Sequence, residues 1–325
     1  MSPSGQTGQT GQFRHEAFLY ADGAEFLRGT AAFIQDAVAA DEPILVVLDS
    51  VKIGALRSTL GASADRVQFA DMGSIGHNPA RIIPAWRSFV DEHGRGGRRL
   101  RGIGEPIWPG RRPEQLVECR HHEALLNVAF ADTPGFWLLC PYDTAGLATT
   151  VLDGAHGTHP FIDRHGHAGP SDRYVGAGFD SLLGEPLRAP SSPSLGVTRY
   201  DFDVHDLAIV RHLAAKEAIV AGFGGRARDV ELIVGELTTN SVRHGQGDRT
   251  LRIWTETGDH GATLLVEVHD DGLLTDPLVG RYEPIGRQIG GRGLWIVNQV
   301  CDLLQIRSSP ALGTTVRAHI FAATP

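Results

Sequence analysis

Short apolar runs alternate with amphipathic stretches through the first half of the chain. The run at residues 44–48 has the length of a buried strand, and residues 24–40 before it carry apolar side chains at helical spacing. Such alternation predicts crossover units, in which helices join parallel strands and cover both faces of the sheet. Strands are predicted at residues 18–20, 44–48, 67–70, 99–103 and 136–140, and helices at 24–40, 51–60, 79–92 and 113–130.

The second half of the chain has a different order of elements. A strand at residues 200–204 precedes amphipathic helices at 205–221 and 228–243, and alternating segments at 251–257 and 263–269 predict antiparallel strands. A glycine-rich loop then opens another helix, and a last strand follows. The predicted fold class is α/β, with a three-layer, mainly parallel domain followed by a domain whose helices lie on one face of a mixed sheet.

The chain divides where its composition changes. Its 325 residues exceed the size at which one hydrophobic core usually stops growing, which favours two domains. Residues 163–196 are rich in Gly, Pro, Ser and Ala and predict a linker. Residues 1–12 are mainly Ser, Gly, Gln and Thr and predict a disordered tail. The predicted domains therefore cover residues 13–162 and 197–325.

Composition and charge restrict the class of protein. Hydrophobic residues make up 42% of the chain and charged residues 21%, as in ordinary globular proteins. The net charge of −8 gives no general attraction for nucleic acid or an anionic membrane. Residues 1–12 have no basic start and no apolar core, so we do not expect them to be a secretory leader. No apolar run approaches the ~20 residues that span a bilayer. Because Cys119, Cys140 and Cys301 form no C-x-x-C pair, we expect a cytoplasmic protein with reduced thiols.

A polar face on one predicted helix is the first candidate for chemistry. Glu236, Asn240 and His244 are spaced four residues apart, so their side chains stack along the helix. A carboxylate can accept a proton from an attacking hydroxyl group, and an amide oxygen can bind Mg²⁺ without adding charge beside a triphosphate. A solvated helix face explains the same spacing, so the function depends on motifs elsewhere in the chain.

Three further motifs follow this helix in order. Asp270 ends a predicted strand, and Gly272 lets the backbone approach a flat ring, so the carboxylate can accept a hydrogen bond from an adenine amino group. Gly290-Gly291-Arg292-Gly293-Leu294 opens a helix whose amides and dipole suit phosphate oxygens. Gly313-Thr314-Thr315 begins the last strand, where Thr315 is predicted to place a hydroxyl group near the base. The four motifs together predict a nucleotide site.

This ordered set resembles the N, G1, G2 and closing boxes of the GHKL ATPase superfamily. The E-L-x-x-N-x-x-x-H-G form of the helix and the G-R-G-L form of the loop are similar to those of anti-sigma regulatory factor serine/threonine kinases. The resemblance implies a Bergerat α/β sandwich that binds ATP and Mg²⁺. One departure is the pair Leu273-Leu274, which stands where the family often has a second glycine and puts the catalytic rate in question.

The resemblance implies a role for each matching residue. Glu236 is the expected base toward the attacking hydroxyl group, Asn240 the Mg²⁺ ligand and Asp270 the adenine contact. Arg243 and His244, one turn on, are expected at the phosphates or the lid. The other expected nucleotide contacts are Gly272, Gly291, Arg292, Gly293, Leu294, Thr314 and Thr315.

Two stretches of the first half, Gly104-Glu105-Pro106-Ile107-Trp108 and Cys140-Pro141-Tyr142-Asp143, fall where strands of a parallel sheet end, which is where such sheets bind ligands. They belong to a larger set of motifs, with His15-x-x-x-x-Tyr20, Glu123-x-x-x-Asn127, His156 and His159. They resemble the MEDS sensory domain of methanogen and methylotroph regulators, whose layout is similar to RecA-like ATPases. The sequence contains no P-loop motif, so sensing is expected rather than hydrolysis. The expected contacts for a small-molecule ligand are His15, Tyr20, Trp108, Glu123, Asn127, Cys140, Tyr142, Asp143, His156 and His159.

A metal site is another interpretation of part of this set. His156 and His159, with Cys140, could hold a metal ion or haem. Two histidines in an irregular segment fix no geometry, and surface or hydrogen-bonded histidines are commoner. A metal is therefore not the preferred interpretation.

The two halves together predict a cytoplasmic, signal-responsive regulator. The leading hypothesis is a kinase that transfers the γ-phosphate of ATP to Ser or Thr of a STAS-type anti-sigma factor antagonist, or a protein that sequesters a sigma factor. A sensor histidine kinase is the second hypothesis, but it needs a phosphoacceptor helix hairpin that the linker composition does not supply. A non-catalytic scaffold with nucleotide-dependent partner affinity is the third. A homodimer remains open, and neither nucleic acid nor membrane is an expected direct partner.

Overall fold

The protein folds into two compact units, Met1–Ala177 and Gly178–Pro325. The computed structural model describes residues 12–176, 183–190, 196–284 and 292–322. Apart from Gln12, the predicted tail lies outside the described residues. None of the described helices combines the length and apolar character that a bilayer crossing requires.

Seven described strands form the sheet of the first unit: β1 (Arg14–Tyr20), β2 (Ile44–Leu48), β3 (Gln68–Asp71), β4 (Leu100–Gly104), β5 (Phe136–Asp143), β6 (Phe161–Arg164) and β7 (His167–Pro170). Their order across the sheet is β3-β2-β4-β5-β1-β6-β7. Every neighbouring pair is parallel except β6 and β7. The sheet is therefore mainly parallel, as the alternating pattern predicts, with β1 and β5 side by side within it.

Helices cover both faces of this sheet: α1 (Gly23–Ala39), α2 (Ser50–Leu60), α3 (Met72–Ile75), α4 (Ile82–His93), α5 (Pro113–Ala129) and α6 (Thr149–Thr158). Helices α1 and α2 begin at aspartates, Asp22 and Asp49, whose side chains accept hydrogen bonds from the first-turn amides. Both helices pack with Phe18 in one apolar core. On the other face, Gly102 leaves room for Trp86 of α4, since a Cβ there would lie 2.8 Å from its ring. The three-layer arrangement is confirmed.

The second unit contains a five-stranded sheet: β8 (Thr198–Asp201), β9 (Thr250–Gly258), β10 (Gly261–Asp270), β11 (Leu303–Ser309) and β12 (Gly313–Phe321). Its order is β11-β12-β10-β9-β8, and every described pairing is antiparallel, where the sequence predicted a mixed sheet. The longer described helices are α7 (Leu207–Val220), α8 (Ala227–His244) and α9 (Arg292–Val300). Their apolar side chains share one core with the sheet, which confirms the α/β sandwich.

The predicted linker begins too early. Residues 163–170, which the composition assigned to it, include part of β6 and all of β7, and these strands pair in the first sheet. The hairpin was missed because both strands are four residues long, and β7 carries Gly and Pro, which are rare inside strands. The predicted strand at residues 200–204 also shifts to Thr198–Asp201. The boundary between the two units lies after Ala177.

A buried ion pair lies on the face of the second sheet that the helices leave uncovered. Glu267, 1% exposed, accepts hydrogen bonds from Arg317 Nε at 2.8 Å and Arg317 Nη2 at 2.5 Å, and also pairs with Arg252. Arg317 in turn donates to the carbonyl of Arg188 at 2.9 Å. The segment around Arg188 therefore contributes a polar contact on this face.

Replacing Glu267 with glutamine is expected to destabilise the second unit by about 3 kcal/mol, because it leaves the Arg317 guanidinium buried without its counter-ion. Urea titration measures the change. The matched control is Glu231→Gln, which removes a half-exposed pair with Arg211 at 3.6 Å and is expected to cost less than about 1 kcal/mol. Equal effects of the two variants would contradict a stabilising role for the buried pair.

Candidate functional site

Helix α8 presents the polar face predicted from the four-residue spacing. Glu236 and Asn240 are partly buried, whereas His244 lies exposed in the last turn. Arg249 closes the end of this helix, because its Nε donates to the Ser241 carbonyl at 3.0 Å. The apolar stripe of α8 packs into the core of the second unit, so the Glu236–Asn240 edge is fixed relative to the sheet.

The start of α9 lies directly against this edge. A Cβ placed on Gly293 would lie 2.7 Å from Asn240 Nδ2 and 2.8 Å from Glu236 Oε2. A side chain at this position would push the ends of the Asn240 and Glu236 side chains aside. Gly293 therefore brings the start of α9 into contact with the carboxylate and amide of α8.

Asp270 lies at the end of β10, 7% exposed. The Gly272 amide donates to its Oδ1 at 2.9 Å, which fixes the orientation of the carboxylate. The Asp271 amide donates to the Gln246 carbonyl at 2.9 Å, so the segment after α8 is tied to the end of this strand. These bonds place a buried acceptor beside the end of the polar helix.

Two hydroxyl groups support the strand-end segment, that of Thr314 and that of Ser308, which the sequence did not single out. Thr314 Oγ1 donates to the Gly272 carbonyl at 2.8 Å and lies 2.8 Å from Ser308 Oγ. Ser308 Oγ accepts from the Leu274 amide at 2.9 Å. Ser308 faces Thr314 in the β11–β12 register, so the strand pairing is the information that would have identified it. This network fixes the backbone on both sides of Leu273.

A cavity of about 410 Å³ joins these elements. Its size falls within the ~300–1,000 Å³ typical of small-molecule sites. Polar and glycine residues from α8, β10, α9 and β12 line it together with apolar side chains. Seven of the residues that the sequence predicts as nucleotide contacts line it: Asn240, His244, Asp270, Gly272, Gly293, Leu294 and Thr314. The cavity therefore combines a buried carboxylate, an amide and an apolar wall.

A second group of polar residues is buried inside the first unit. Helix α5, the two central strands β1 and β5 and the residue after α6 each contribute to it. We refer to His15, Glu123, Cys140 and His159 as the buried cluster. Their potential ligand atoms all lie within 4.8 Å of one another. The fold therefore brings His15 together with three side chains that lie more than a hundred residues further along the chain.

Contacts within the buried cluster shift its pKa values. Burial and the neighbouring His159 lower the pKa of His15 to about 4. Burial opposes ionisation of Glu123, but its contacts with the two histidines hold its pKa well below the usual range. Burial raises the pKa of the Cys140 thiol. The cluster therefore contains an ionised carboxylate and a protonated thiol.

Comparison with known families assigns both units. A profile of the methanogen/methylotroph, DcmR sensory domain (MEDS) matches residues 14–160, and a profile of the histidine kinase-like ATPase domain matches residues 202–320. The chain is a MEDS domain followed by a histidine kinase-like ATPase domain. No curated protein matches the chain significantly. The fusion inferred from the motifs is confirmed.

The ATPase domain departs from the sequence predictions at one strand. Thr315 does not line the cavity; its hydroxyl lies 2.9 Å from His269 Nδ1, on the opposite face of the sheet. The prediction was wrong because side chains alternate along a strand, so that only one of two adjacent threonines can face the site. Thr314 is the one that does. Of the two threonines predicted at the nucleotide, Thr314 therefore lines the cavity and Thr315 does not.

Some of the other predicted nucleotide contacts line the cavity and some do not. Arg243 is exposed on α8 and does not line the cavity, whereas His244 does. Arg292 is exposed at the start of α9, and Leu294 is buried in the core as well as lining the cavity. Gly291 lies outside the described residues. The predicted nucleotide contacts that line the cavity are therefore Asn240, His244, Asp270, Gly272, Gly293, Leu294 and Thr314.

The ligand residues predicted for the MEDS domain fall into separate places. Tyr142 lies edge-on to His159, with 5.5 Å between ring centroids, and Asn127 contacts His15, so both adjoin the buried cluster. His156 does not join it, because its Nε2 lies 2.9 Å from Arg164. The set of His156, His159 and Cys140 considered from sequence is therefore not the one that the fold assembles.

Tyr20 belongs to a different group at the ends of the parallel strands. Its hydroxyl donates to Glu105 Oε1 at 2.7 Å, and Lys52 Nζ donates to the same oxygen at 2.6 Å. Glu105 is 2% exposed, and burial raises its pKa against the lowering effect of Lys52. Sequence reasoning did not select Lys52, which follows a strand end by only four residues. Tyr20 is thus held in an ion-pair network.

Trp108 and Asp143 are also separate from the buried cluster. The Arg111 guanidinium lies 3.8 Å from the centroid of the Trp108 ring. Asp143 Oδ1 accepts from the amides of Ala145 and Gly146, each at 3.0 Å, and so closes the turn after β5. Each of these contacts fixes a side chain in place without involving the buried cluster.

Adding a methyl group at Gly293 is expected to weaken Mg-ATP binding about tenfold or more, since it would push the Asn240 amide and the Glu236 carboxylate away from their present positions. Calorimetric titration of Gly293→Ala measures the change. Gly258→Ala is the matched control, because a Cβ at Gly258 meets nothing within 4 Å. An unchanged affinity in Gly293→Ala would show that the close approach of Gly293 to Asn240 and Glu236 is not needed for Mg-ATP binding.

Proposed function

We propose that this chain is a cytoplasmic, signal-responsive regulator of the anti-sigma factor type. Its ATPase domain binds Mg-ATP and transfers the γ-phosphate to Ser or Thr of a separate antagonist protein, under control of the MEDS domain. The observation that carries the proposal is the meeting of Glu236, Asn240 and Gly293 beside a cavity that contains a buried aspartate. This arrangement places a potential base next to a potential metal ligand.

The donor set fits Mg-ATP. Asn240 would hold Mg²⁺ through its amide oxygen, and the ion would neutralise charge on the phosphates. Asp270 has one oxygen occupied by the Gly272 amide, so its other oxygen remains to accept from the adenine amino group. The apolar side chains of Leu237, Val279 and Leu294 line the same cavity and suit a flat base.

Glu236 supports a hydroxyl group as the phosphate acceptor. A serine or threonine hydroxyl must lose its proton during attack, and a carboxylate within reach can accept it. A neutral histidine attacks through a nitrogen lone pair and has no proton to lose at that atom. Glu236 is partly buried beside Gly293 at the start of α9, where we propose that an incoming side chain meets the phosphate.

The segment between the domains also supports a target on another protein. Its described residues, 171–176, 183–190 and 196–197, contain no long helix. A histidine kinase of the usual kind requires a helical phosphoacceptor hairpin at this point of the chain. The proposed partners are therefore a STAS-type antagonist, which receives the phosphate, and a sigma factor, which the regulator binds; a homodimer is compatible with both.

Radiolabelled ATP tests the proposal directly. The full-length protein is incubated with Mg²⁺, [γ-³²P]ATP and purified STAS-type proteins, and the acid stability of any protein-bound label is measured. Acid-stable label on the partner is expected. Acid-labile, base-stable label on this chain would indicate a histidine kinase instead. ATP binding without any protein-bound label would indicate a scaffold and overturn the proposed transfer.

A further inference from the structure

We propose that the buried cluster of the MEDS domain binds Zn²⁺ in a tetrahedral site. Two imidazole nitrogens, a carboxylate oxygen and a thiolate sulfur supply the four ligands, from His15, His159, Glu123 and Cys140. All four side chains are at most 1% exposed, and they come from four different elements of the fold. Such a site would be closed to solvent.

Three of the six distances between the ligand atoms are known, and they lie close to the edges of a coordination tetrahedron. His15 Nε2 lies 3.0 Å from Glu123 Oε2 and 3.4 Å from Cys140 Sγ. His159 Nε2 lies 3.3 Å from the same carboxylate oxygen. Tetrahedral Zn²⁺ with ordinary bond lengths separates N and O by about 3.4 Å, and N and S by about 3.6 Å. The observed contacts therefore need to change by only a few tenths of an ångström.

The outer nitrogens of both histidines are already engaged. His159 Nδ1 lies 2.9 Å from the Ala155 carbonyl, which can only accept, so this nitrogen carries a proton. Asn127 donates through Nδ2 to the Thr158 carbonyl at 2.8 Å, which directs its Oδ1 to His15 Nδ1 at 3.2 Å. Metal-binding histidines are usually oriented by such contacts. In both rings Nε2 is therefore left to face the cluster.

These contacts leave the centre of the cluster short of a positive charge. With Nδ1 protonated, a neutral imidazole presents a lone pair at Nε2, and both lone pairs face the Glu123 carboxylate. Glu123 Oε1 and His159 Nε2 also have no hydrogen-bond partner among the described residues. Acceptors gathered at such distances in a dry interior repel one another unless a proton or a metal cation lies between them.

The donor set selects zinc among common cations. Mg²⁺ and Ca²⁺ require oxygen ligands, whereas nitrogen and sulfur donors suit Zn²⁺. Cys140 would bind as the thiolate and release its proton to solvent. The carboxylate and thiolate charges then sum to −2 and balance the dication. The bound ion would join β1 and β5 to α5 and to the residue after α6.

Metal content tests the proposal without any substitution. The full-length protein, purified without chelator and incubated with excess ZnCl₂ and a non-thiol reductant, is desalted and analysed by inductively coupled plasma mass spectrometry. One zinc ion per chain is expected, with a higher melting temperature than the chelator-treated protein. No bound metal would show that a proton alone fills the cluster, and full occupancy by iron or copper would overturn the assignment to zinc.

Cobalt substitution with paired variants locates the ion. Co²⁺ bound by the wild type is expected to give tetrahedral visible bands and a sulfur-to-cobalt charge-transfer band, and Cys140→Ser is expected to lose the charge-transfer band. Cys119→Ser is the matched control, because Cys119 is equally buried but bonds the Pro106 carbonyl instead. His159→Gln is expected to weaken zinc binding about 100-fold or more, while His156→Gln leaves it unchanged. Retention of the charge-transfer band in Cys140→Ser, or loss of this band in Cys119→Ser, would overturn the proposed ligand set.

Discussion

Glu236→Gln is expected to lower phosphoryl transfer by about 10²- to 10⁴-fold, the usual contribution of a general base, while Mg-ATP affinity is retained. Glutamine keeps the size and hydrogen-bonding reach of glutamate but cannot accept the hydroxyl proton at neutral pH. Asn240, which is proposed to hold the metal ion, and Asp270, which is proposed to hold the adenine ring, are unaltered. Single-turnover transfer to the partner protein, measured beside calorimetric ATP binding, separates the two effects.

The matched control for this prediction lies on the same helix. Glu231→Gln removes a carboxylate from α8 that pairs with Arg211 at 3.6 Å and does not line the cavity, so transfer is expected to remain at the wild-type rate. Wild-type transfer by Glu236→Gln would refute Glu236 as the base. Equal losses in both variants would indicate a general effect on the helix.

Asp270→Asn is expected to weaken ATP binding by about 10- to 100-fold, through loss of a charge-assisted hydrogen bond worth about 1.5–3 kcal/mol. The Gly272 amide donates to Asp270 Oδ1 and would hold the asparagine oxygen in the same place. The side-chain NH₂ group would then face the cavity, where the adenine amino group is also a donor. Calorimetry with a non-hydrolysable ATP analogue measures the change.

The neighbouring aspartate provides the control. Asp271 is 61% exposed, does not line the cavity and accepts from the Asp248 amide at 3.2 Å. Asp271→Asn is therefore expected to retain ATP affinity. If both variants bind ATP as the wild type does, the adenine contact lies elsewhere.

Sequence periodicity predicted the elements that bury continuous apolar faces. The run at residues 44–48 is β2 with unchanged bounds, and the helix that carries Glu236 and Asn240 differs from its predicted range by one residue at each end. Such segments are identified well because burial of one helix face leaves a periodic pattern, and burial of both strand faces leaves a continuous apolar run. The order of the four polar motifs then predicted the ATPase family.

Tertiary contacts that lack a local pattern could not be predicted in this way. Whether Thr314 or Thr315 faces the cavity depends on the β10–β12 register, in which Asp270 pairs with Thr314. The buried cluster similarly depends on β1 and β5 being neighbours, which places His15 close to Cys140. His156 and His159 look equivalent in sequence, but only His159 points into the cluster.

Thermal unfolding of the full-length protein with and without Mg-ATP tests the central claim, that the cavity between Asn240 and Asp270 binds the nucleotide. At about 100 times its Kd, Mg-ATP is expected to stabilise the ATPase domain by about 2.7 kcal/mol. The same concentration is expected to stabilise Asp270→Asn much less. A transition that does not move in the wild type, or that moves equally in both proteins, would contradict the assignment of this cavity as the ATP site.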